Sequence, residues 1–387
     1  MGPTDAQVLA DPARADAPWL QRHLDAPLGM PPRPPGPRVE ALEIEPLEAT
    51  TARLLRLRVR YRGRPPDGGH RAERLILKCC DAAGGIDPAS EPAYYAHDYA
   101  GLADAPLVPC LEACTVPGPA GSAPLGYLLL LEDLSDDYRD HKLVEPSAAH
   151  AGALGRALAA LHAHRWHRDR ELAGPAALDA ALERLLEHLR RGLDPVLADL
   201  DGALGAARTA ALRRCLDGPA ETLRRRLADA TSTVLIHGDP NPTNVLTPIH
   251  GEGCPPDGRR ELYLIDRQPF AWSPRVWPAA ADLVGASVPW WTPETRRTLE
   301  PVLLGSYHRA LVDRGVEGYP WSRLIEDYRD CLVHSAWTGV EWGTDPEGLE
   351  HMRFLWRAQI ERALAAIEHW DGAVPAAVAA VAGRPAR

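Results

Sequence analysis

Phenylalanine is nearly missing from this sequence, with two among 387 residues, and so is lysine: of 43 lysines and arginines only Lys78 and Lys142 are lysines. Against that background each lysine raises the question of whether a compact ammonium is needed at its position. Cysteine offers no framework. Cys79, Cys80, Cys110, Cys114, Cys215, Cys254 and Cys331 are odd in number and irregular in spacing, with no paired CxxC or Cys/His knuckle. That excludes a disulfide scaffold and a zinc site and fits reduced, cytoplasmic thiols. No apolar run reaches the ~18–20 residues needed to span a bilayer. The opening residues carry neither a basic nor an apolar targeting region, and Ala6 breaks the myristoylation pattern. Positive charge is not in excess: the formal net charge is −10. Neither nucleic acid nor a membrane is therefore an expected partner, whereas a cationic small molecule is compatible with that charge.

What remains is ordinary for a soluble globular protein, 45% apolar and 25% charged, in a chain long enough for two or three domains or lobes. Residues 1–37 read as a loose, partly extended leader closed by the proline-rich run 31–37. From Val39 the pattern turns to strands: Val39–Leu47, the alternating Leu54–Tyr61, a Gly/Pro turn over 62–70, and Leu75–Lys78. Pro88–Asp98 reads as a helix, and the apolar run Gly126–Leu131 as a buried strand. Beyond it leucines recur at helical spacing, at 154, 158 and 161, at 178, 182, 185 and 189, and along an amphipathic helix from Met352 to Ile367. The expectation is an α+β chain: a strand-rich part over 38–131, a connector over 132–136, and a larger helical part over 137–387.

One segment of the helical part carries chemistry. His237-Gly238-Asp239-Pro240-Asn241-Pro242-Thr243-Asn244 lies between the apolar runs Val234–Ile236 and Val245-Leu246, and a further run, Leu262–Ile265, ends at Asp266. An Asp, an Asn five residues on and a second Asp after the next strand make a phosphoryl-transfer layout. Asp239 suits the acceptance or orientation of an attacking hydroxyl's proton, and Asn244 and Asp266 offer hard oxygens to Mg²⁺. Lys78 suits a cation for the non-transferred phosphates, with Glu91 on the next helix to aim it. Each residue alone has a plainer reading as a turn, a solvated strand residue or a surface residue; together and in this order they favour the reaction.

These residues resemble the aminoglycoside phosphotransferase/choline kinase family, whose fold is protein-kinase-like and bilobal. His237-Gly238-Asp239 with Asn244, then Leu264-Ile265-Asp266-Arg267-Gln268, is similar to that family's catalytic loop and metal-binding segment. Leu77-Lys78 and Glu91–Tyr95 resemble its lysine strand and glutamate helix. Leu130–Leu134 is similar to its interlobe hinge, whose backbone meets adenine at Glu132 and Leu134. Leu158–His162 resembles the helix that supports the loop, and Asp282 its downstream anchor. The resemblance spans roughly residues 40–370. It implies ATP or GTP as co-substrate, Mg²⁺, and transfer to a small-molecule hydroxyl. It also implies a loop-supporting role for His237 and a packed one for His162. Two departures stand out: the turn Glu48-Ala49-Thr50-Thr51 has no glycine, so Thr50 and Thr51 are its candidates for the phosphates, and Arg267 stands where an aromatic residue is common.

Nine of the eleven tryptophans lie beyond residue 270. Among them Trp337, Glu341, Trp342 and Asp345 combine aromatic faces with carboxylates, a site chemistry for an amine. The leading acceptor is an aminoglycoside-like or other amine-bearing natural product. The alternatives are a metabolic choline, sugar or alcohol kinase, and a nucleotide-binding pseudokinase with a regulatory role. A protein kinase fits less well, as the sequence lacks an Ala-Pro-Glu segment downstream.

Overall fold

The computed structural model describes residues 2–31, 36–49, 52–63, 73–120, 122–142, 144–166, 174–218, 220–229, 231–249, 259–267 and 270–381. They form two compact units. The sheet-rich unit comprises Met1–Ala103, Leu107–Arg139 and Ile265–Ala271, and the helix-rich unit Asp104–Pro106, Asp140–Leu264 and Trp272–Arg387. The fold is α+β, as expected. Thr50, Thr51 and most of the 62–70 turn lie outside the described residues.

The sheet-rich unit opens with α1 (Asp5–Ala10) and α2 (Ala17–Asp25). Its antiparallel sheet is built from β1 (Arg38–Leu47), β2 (Arg53–Arg62), β3 (Arg74–Asp81), β4 (Cys110–Val116) and β5 (Gly126–Glu132), in the order β1-β2-β3-β5-β4. Period-2 alternation sorts the side chains. Leu55, Leu57, Leu75, Leu77, Cys79, Leu128 and Leu130 pack in one core with Val8, Leu9, Trp19, Leu20 and Leu24 of the two helices. Lys78 and Tyr127 therefore belong to the opposite face, toward α3 (Ser90–Ala93) and the π turn Tyr94–Asp98 that follows it.

The opening segment departs from the expected loose leader. Thr4 and Gln7 form a reciprocal capping box at α1, and the Asp16 carboxylate accepts the Trp19 N–H at 2.7 Å to start α2. Each large apolar side chain these helices bury contributes about 1.5–3 kcal/mol, enough to order a short segment whose proline content argues for extension. His23 pins it. Its Nδ1 lies 2.8 Å from Glu112 on β4 and its Nε2 2.9 Å from Asp5. Glu112 also accepts the N–H groups of Leu28 and Gly29 at 2.7 and 2.8 Å. Gly29 is required there, because a Cβ would sit 1.5 Å from the Ala113 carbonyl oxygen.

Burial by itself would lower the His23 pKa, but its bonds to Asp5 and Glu112 outweigh it and raise the value from 6.5 to about 9. A raised folded-state pKa gives stability that is complete below about 6.5 and is lost as pH rises through about 9, up to about 3 kcal/mol for this shift. In thermal denaturation the deficit of His23→Gln against wild type should be largest near neutral pH and below. It should shrink above about pH 9.

After the short strand β6 (Tyr138–Asp140) come α4 (Ala148–Arg165), α5 (Pro175–Leu200), α6 (Gly205–Asp217) and α7 (Ala220–Asp229). Four short strands follow: β7 (Thr233–Leu235), β8 (Val245–Pro248), β9 (Tyr263–Leu264) and β10 (Val276–Pro278). The chain continues in α8 (Ala280–Ser287), α9 (Pro293–Asp313), α10 (Trp321–Cys331), α11 (Val333–Glu341), α12 (Pro346–His351), α13 (Arg353–Trp370) and α14 (Ala376–Ala379). β7 pairs with β10 and β8 with β9, both antiparallel. The two pairs fix the ends of the 236–244 loop. Among the described residues no helix is long and apolar enough to cross a membrane.

Candidate active site

The loop between β7 and β8 is held from beneath by one buried carboxylate. Asp282, in the first turn of α8, accepts the N–H of His237 at 2.7 Å and of Gly238 at 2.9 Å. It also meets His162 Nε2 of α4 at 3.1 Å, while His162 Nδ1 lies 2.9 Å from the Tyr307 hydroxyl of α9. The set is satisfied when Nε2–H donates to Asp282 and Nδ1 accepts from Tyr307. Burial raises the Asp282 pKa, but the His162 hydrogen bond and the backbone donors outweigh it and hold the carboxyl below its ordinary value. His237 is fully buried, and its Nδ1 accepts the Asp239 N–H at 3.3 Å. Gly238 takes φ +85, a conformation that favours glycine. His237, His162 and Asp282 are thus the loop's frame.

On that frame Asp239 is half-buried. Its Oδ1 accepts from the Asn241 amide at 2.9 Å. The Asn244 amide donates to the Asp239 carbonyl at 2.9 Å and to Oδ2 at 3.1 Å. The Asn244 Oδ1 accepts from the Thr243 hydroxyl at 3.4 Å. Asn241 caps the 3₁₀ turn Pro242–Asn244 through the Thr243 N–H at 2.8 Å.

Within the sheet-rich unit, Lys78 is buried and meets Glu91 Oε2 at 2.7 Å and the Asp266 carboxylate. Burial would lower the Lys78 pKa, but the charges of Asp266 and Glu91 carry it well above the ordinary lysine range. Glu91 is buried too, and burial raises its pKa against the pull of Lys78. Asp266 has a left-handed backbone, φ +62, and a part-exposed carboxylate. A strained φ on a non-glycine residue is typical of functional positions. Arg267 is buried and donates to the Ser90 hydroxyl at the start of α3, so the arginine at this unusual position ties the Asp266 segment to the Glu91 helix.

The 132–136 connector is braced within the same unit. Asp133 accepts from Arg56 Nε and Arg74 Nη2, both at 2.8 Å, and from the Ser135 N–H at 3.0 Å. Glu132 N–H donates to the Pro109 carbonyl at 2.9 Å, and the Leu134 carbonyl accepts from Asp137 and Tyr138 at 3.0 and 2.9 Å.

The four acceptor candidates separate. Trp337 is a core residue whose indole N–H donates to the Cys215 carbonyl at 2.8 Å. Asp345 is the N-cap of α12 and accepts the N–H groups of Glu347 and Gly348. Both have structural duties that account for them. Glu341 and Trp342 remain half-buried, with the Trp342 N–H on Gln359 at 3.2 Å. Together with His334 and Thr338 they form one half-buried stripe at helical spacing on the otherwise buried α11 and the turn after it. The Glu341 carboxylate has no hydrogen-bond or ion-pair partner among the described residues. Burial, and after it the negative charge of Asp239, push its pKa up to about 8.

Tyr127 is a residue that motif reading passes over. Its hydroxyl reaches Glu91 Oε2 at 2.5 Å. The available signal is a tyrosine inside a fully apolar strand, where a buried hydroxyl needs a partner.

The model of the phosphotransferase enzyme family (APH) matches residues 58–255. Among solved structures, the chain is similar to choline kinase from Cryptosporidium parvum Iowa II, at 11% identity and TM-score 0.50 over 85% of this chain and 90% of that one. It is similar to Plasmodium vivax ethanolamine kinase at 13% identity and TM-score 0.50, over 84% and 81%. A third is amicoumacin kinase in complex with AMP-PNP, Ca²⁺ and Ami, at 12% identity and TM-score 0.50, over 83% and 87%. At these identities the likeness is one of fold. No curated protein matches the sequence significantly.

Proposed function

The chain belongs to the phosphotransferase enzyme family and is a phosphotransferase, and we propose that it moves the γ-phosphoryl group of ATP or GTP onto a hydroxyl of an amine-bearing small molecule, an aminoglycoside-like natural product being the leading class. The observation that carries this reading is the Asp282-held loop, which fixes Asp239 and Asn244 through buried and part-buried hydrogen bonds.

In this reading Asp239 orients the acceptor hydroxyl and takes its proton. Lys78, aimed by Glu91, would meet the α- and β-phosphates, and the backbone at Glu132 and Leu134 the base. Asn244 Oδ1 and the Asp266 carboxylate would hold Mg²⁺. When bound, the ion would neutralise charge on the phosphate oxygens. Asn244 Oδ1 and the Asp266 carboxylate are each a hard oxygen donor of the kind that Mg²⁺ takes. Among the described residues no group of three or more His, Cys, Asp or Glu gathers as a metal cluster, and Mg²⁺ is commonly held by one or two carboxylates with water and phosphate completing its shell. The buried free thiols at Cys79, Cys114, Cys215 and Cys331 support a cytoplasmic setting.

Glu341 supports the amine. A carboxylate without a partner among the described residues, raised by burial and then by a second carboxylate, gains most from a cation brought by the acceptor. One carboxylate beside one indole also suits a single quaternary ammonium, which favours a choline-type amino alcohol as the second reading. The test uses pairs that differ in charge: an aminoglycoside and its fully N-acetylated form, and choline and 3,3-dimethylbutan-1-ol. Wild type should favour the charged member, and Glu341→Gln should erase about tenfold or more of that preference in kcat/KM. Equal use of both members by wild type would reject the cationic acceptor.

A further inference from the structure

We propose that Tyr127 is a positioning residue that holds the Lys78–Glu91 pair in register from the neighbouring strand. The inference rests on the nucleotide-side role given to Lys78 above.

Tyr127 touches both members of the pair. Its hydroxyl donates to Glu91 Oε2 at 2.5 Å, the same oxygen that receives Lys78 Nζ at 2.7 Å. The Lys78 ammonium lies 5.9 Å from the centre of its ring, within the range of a cation–π contact. The strand register makes this possible. Tyr127 of β5 is paired with Cys80 of β3, and Lys78 with Leu129, so Tyr127 stands one same-face position along from Lys78.

The geometry is asymmetric, and the asymmetry gives Tyr127 its weight. Glu91 is buried, and its other oxygen, Oε1, has no hydrogen-bond partner among the described residues. Two donors on one oxygen therefore provide all the hydrogen bonding of this carboxylate, one from a cation and one from a phenol. The other polar neighbours do not replace Tyr127. Tyr95, which feels the Glu91 charge, has a buried hydroxyl without a partner among the described residues, Cys80 is a weak donor, and Asp266 adds negative charge nearby.

Lys78 also has a second carboxylate, Asp266. Any ligand that engages Asp266 leaves Glu91 as the remaining anion on Lys78. The orientation of Glu91 then decides where the ammonium points, and Tyr127 is the neutral group that sets it. A buried donor to a charged carboxylate of this kind is worth roughly tenfold in the equilibrium it supports.

Having only two lysines makes the test direct. In protein labelled with ¹³C and ¹⁵N at lysine, one side-chain signal belongs to buried Lys78 and the other to exposed Lys142. In the wild type, cross-relaxation is expected between the Lys78 ε-protons and the Tyr127 ring. Tyr127→Phe should shift the Lys78 signal and leave that of Lys142 in place. By calorimetry Tyr127→Phe should lose about tenfold in MgADP affinity with the acceptor KM unchanged, and the loss should vanish in a Glu91→Gln background. An unmoved Lys78 signal, a missing wild-type contact, or the same loss in both backgrounds overturns the proposal. Wild type that binds no MgADP counts instead against the nucleotide reading, and the lysine spectra then decide the contact on their own.

Discussion

Asp239→Ala should lower kcat by about 10³-fold, the scale on which a positioned acid–base group contributes, with little change in the KM for nucleotide. The asymmetry follows from what Asp239 touches. Its carboxylate is held by the amides of Asn241 and Asn244, whereas the Lys78 ammonium is held by Glu91 and Asp266. On the proposed roles, removing Asp239 therefore takes away the group that would meet the acceptor hydroxyl and leaves the Lys78 ion pairs intact. Asp239→Asn keeps the shape and removes the proton acceptor, so it should fall almost as far. Rapid-quench single turnover separates this loss in chemistry from product release. A circular-dichroism melt close to wild type would show that the loop's frame survives.

Asp282→Ala should destabilise the protein on the order of 3–5 kcal/mol, because two buried donors and one part-buried donor lose their acceptor together. The orphaned groups are the N–H groups of His237 and Gly238 and the Nε2 of His162. At this chain length that corresponds to a thermal midpoint lower by roughly 4–6 °C. Activity should drop further than the loss of folded protein explains, since the loop carrying Asp239 loses its anchor. Acid should reproduce part of the effect. The folded-state pKa of Asp282 lies below its ordinary 3.8, so its stabilisation is complete above that value and fades as pH falls through the lowered one. Asp282→Asn should fall between wild type and Ala and lose the acid sensitivity. A melt of Asp282→Ala equal to wild type would show that the loop is held by other means.

Much of this molecule can be read from local pattern. Alternation of Leu and Arg along 54–61 gives β2 its two faces, and the apolar run at 126–131 gives a strand buried on both. The spacing of Asp239, Asn244 and Asp266 proposes the chemistry without any structure. Other features depend on partners remote in sequence. β4 escapes recognition because Glu112 sits among its buried residues, and the histidine that accounts for it is 89 residues away. Glu91 reads as a surface residue until Lys78 and Tyr127 are placed on it. The opening segment illustrates competing signals: proline content argues for an extended leader, whereas the caps at Thr4 and Asp16 and the apolar spacing of Trp19, Leu20 and Leu24 argue for helices. Tertiary burial decides for the helices. Asp345 followed by Pro346 carries the signature of a helix start, and the structure uses it so. Trp337 could not be separated from Trp342 by composition, since only packing shows which indole belongs to the core.

The central claim, phosphoryl transfer to an amine-bearing acceptor under the control of Asp239, meets its most direct test in ³¹P NMR. Wild-type protein would be incubated with Mg²⁺, ATP or GTP, and in turn an aminoglycoside and choline. One acceptor should yield a new phosphomonoester resonance in step with nucleoside diphosphate, and Asp239→Ala should suppress both signals together. Nucleoside diphosphate accompanied only by inorganic phosphate, or a phosphomonoester formed equally well by the Asp239 variant, would contradict it.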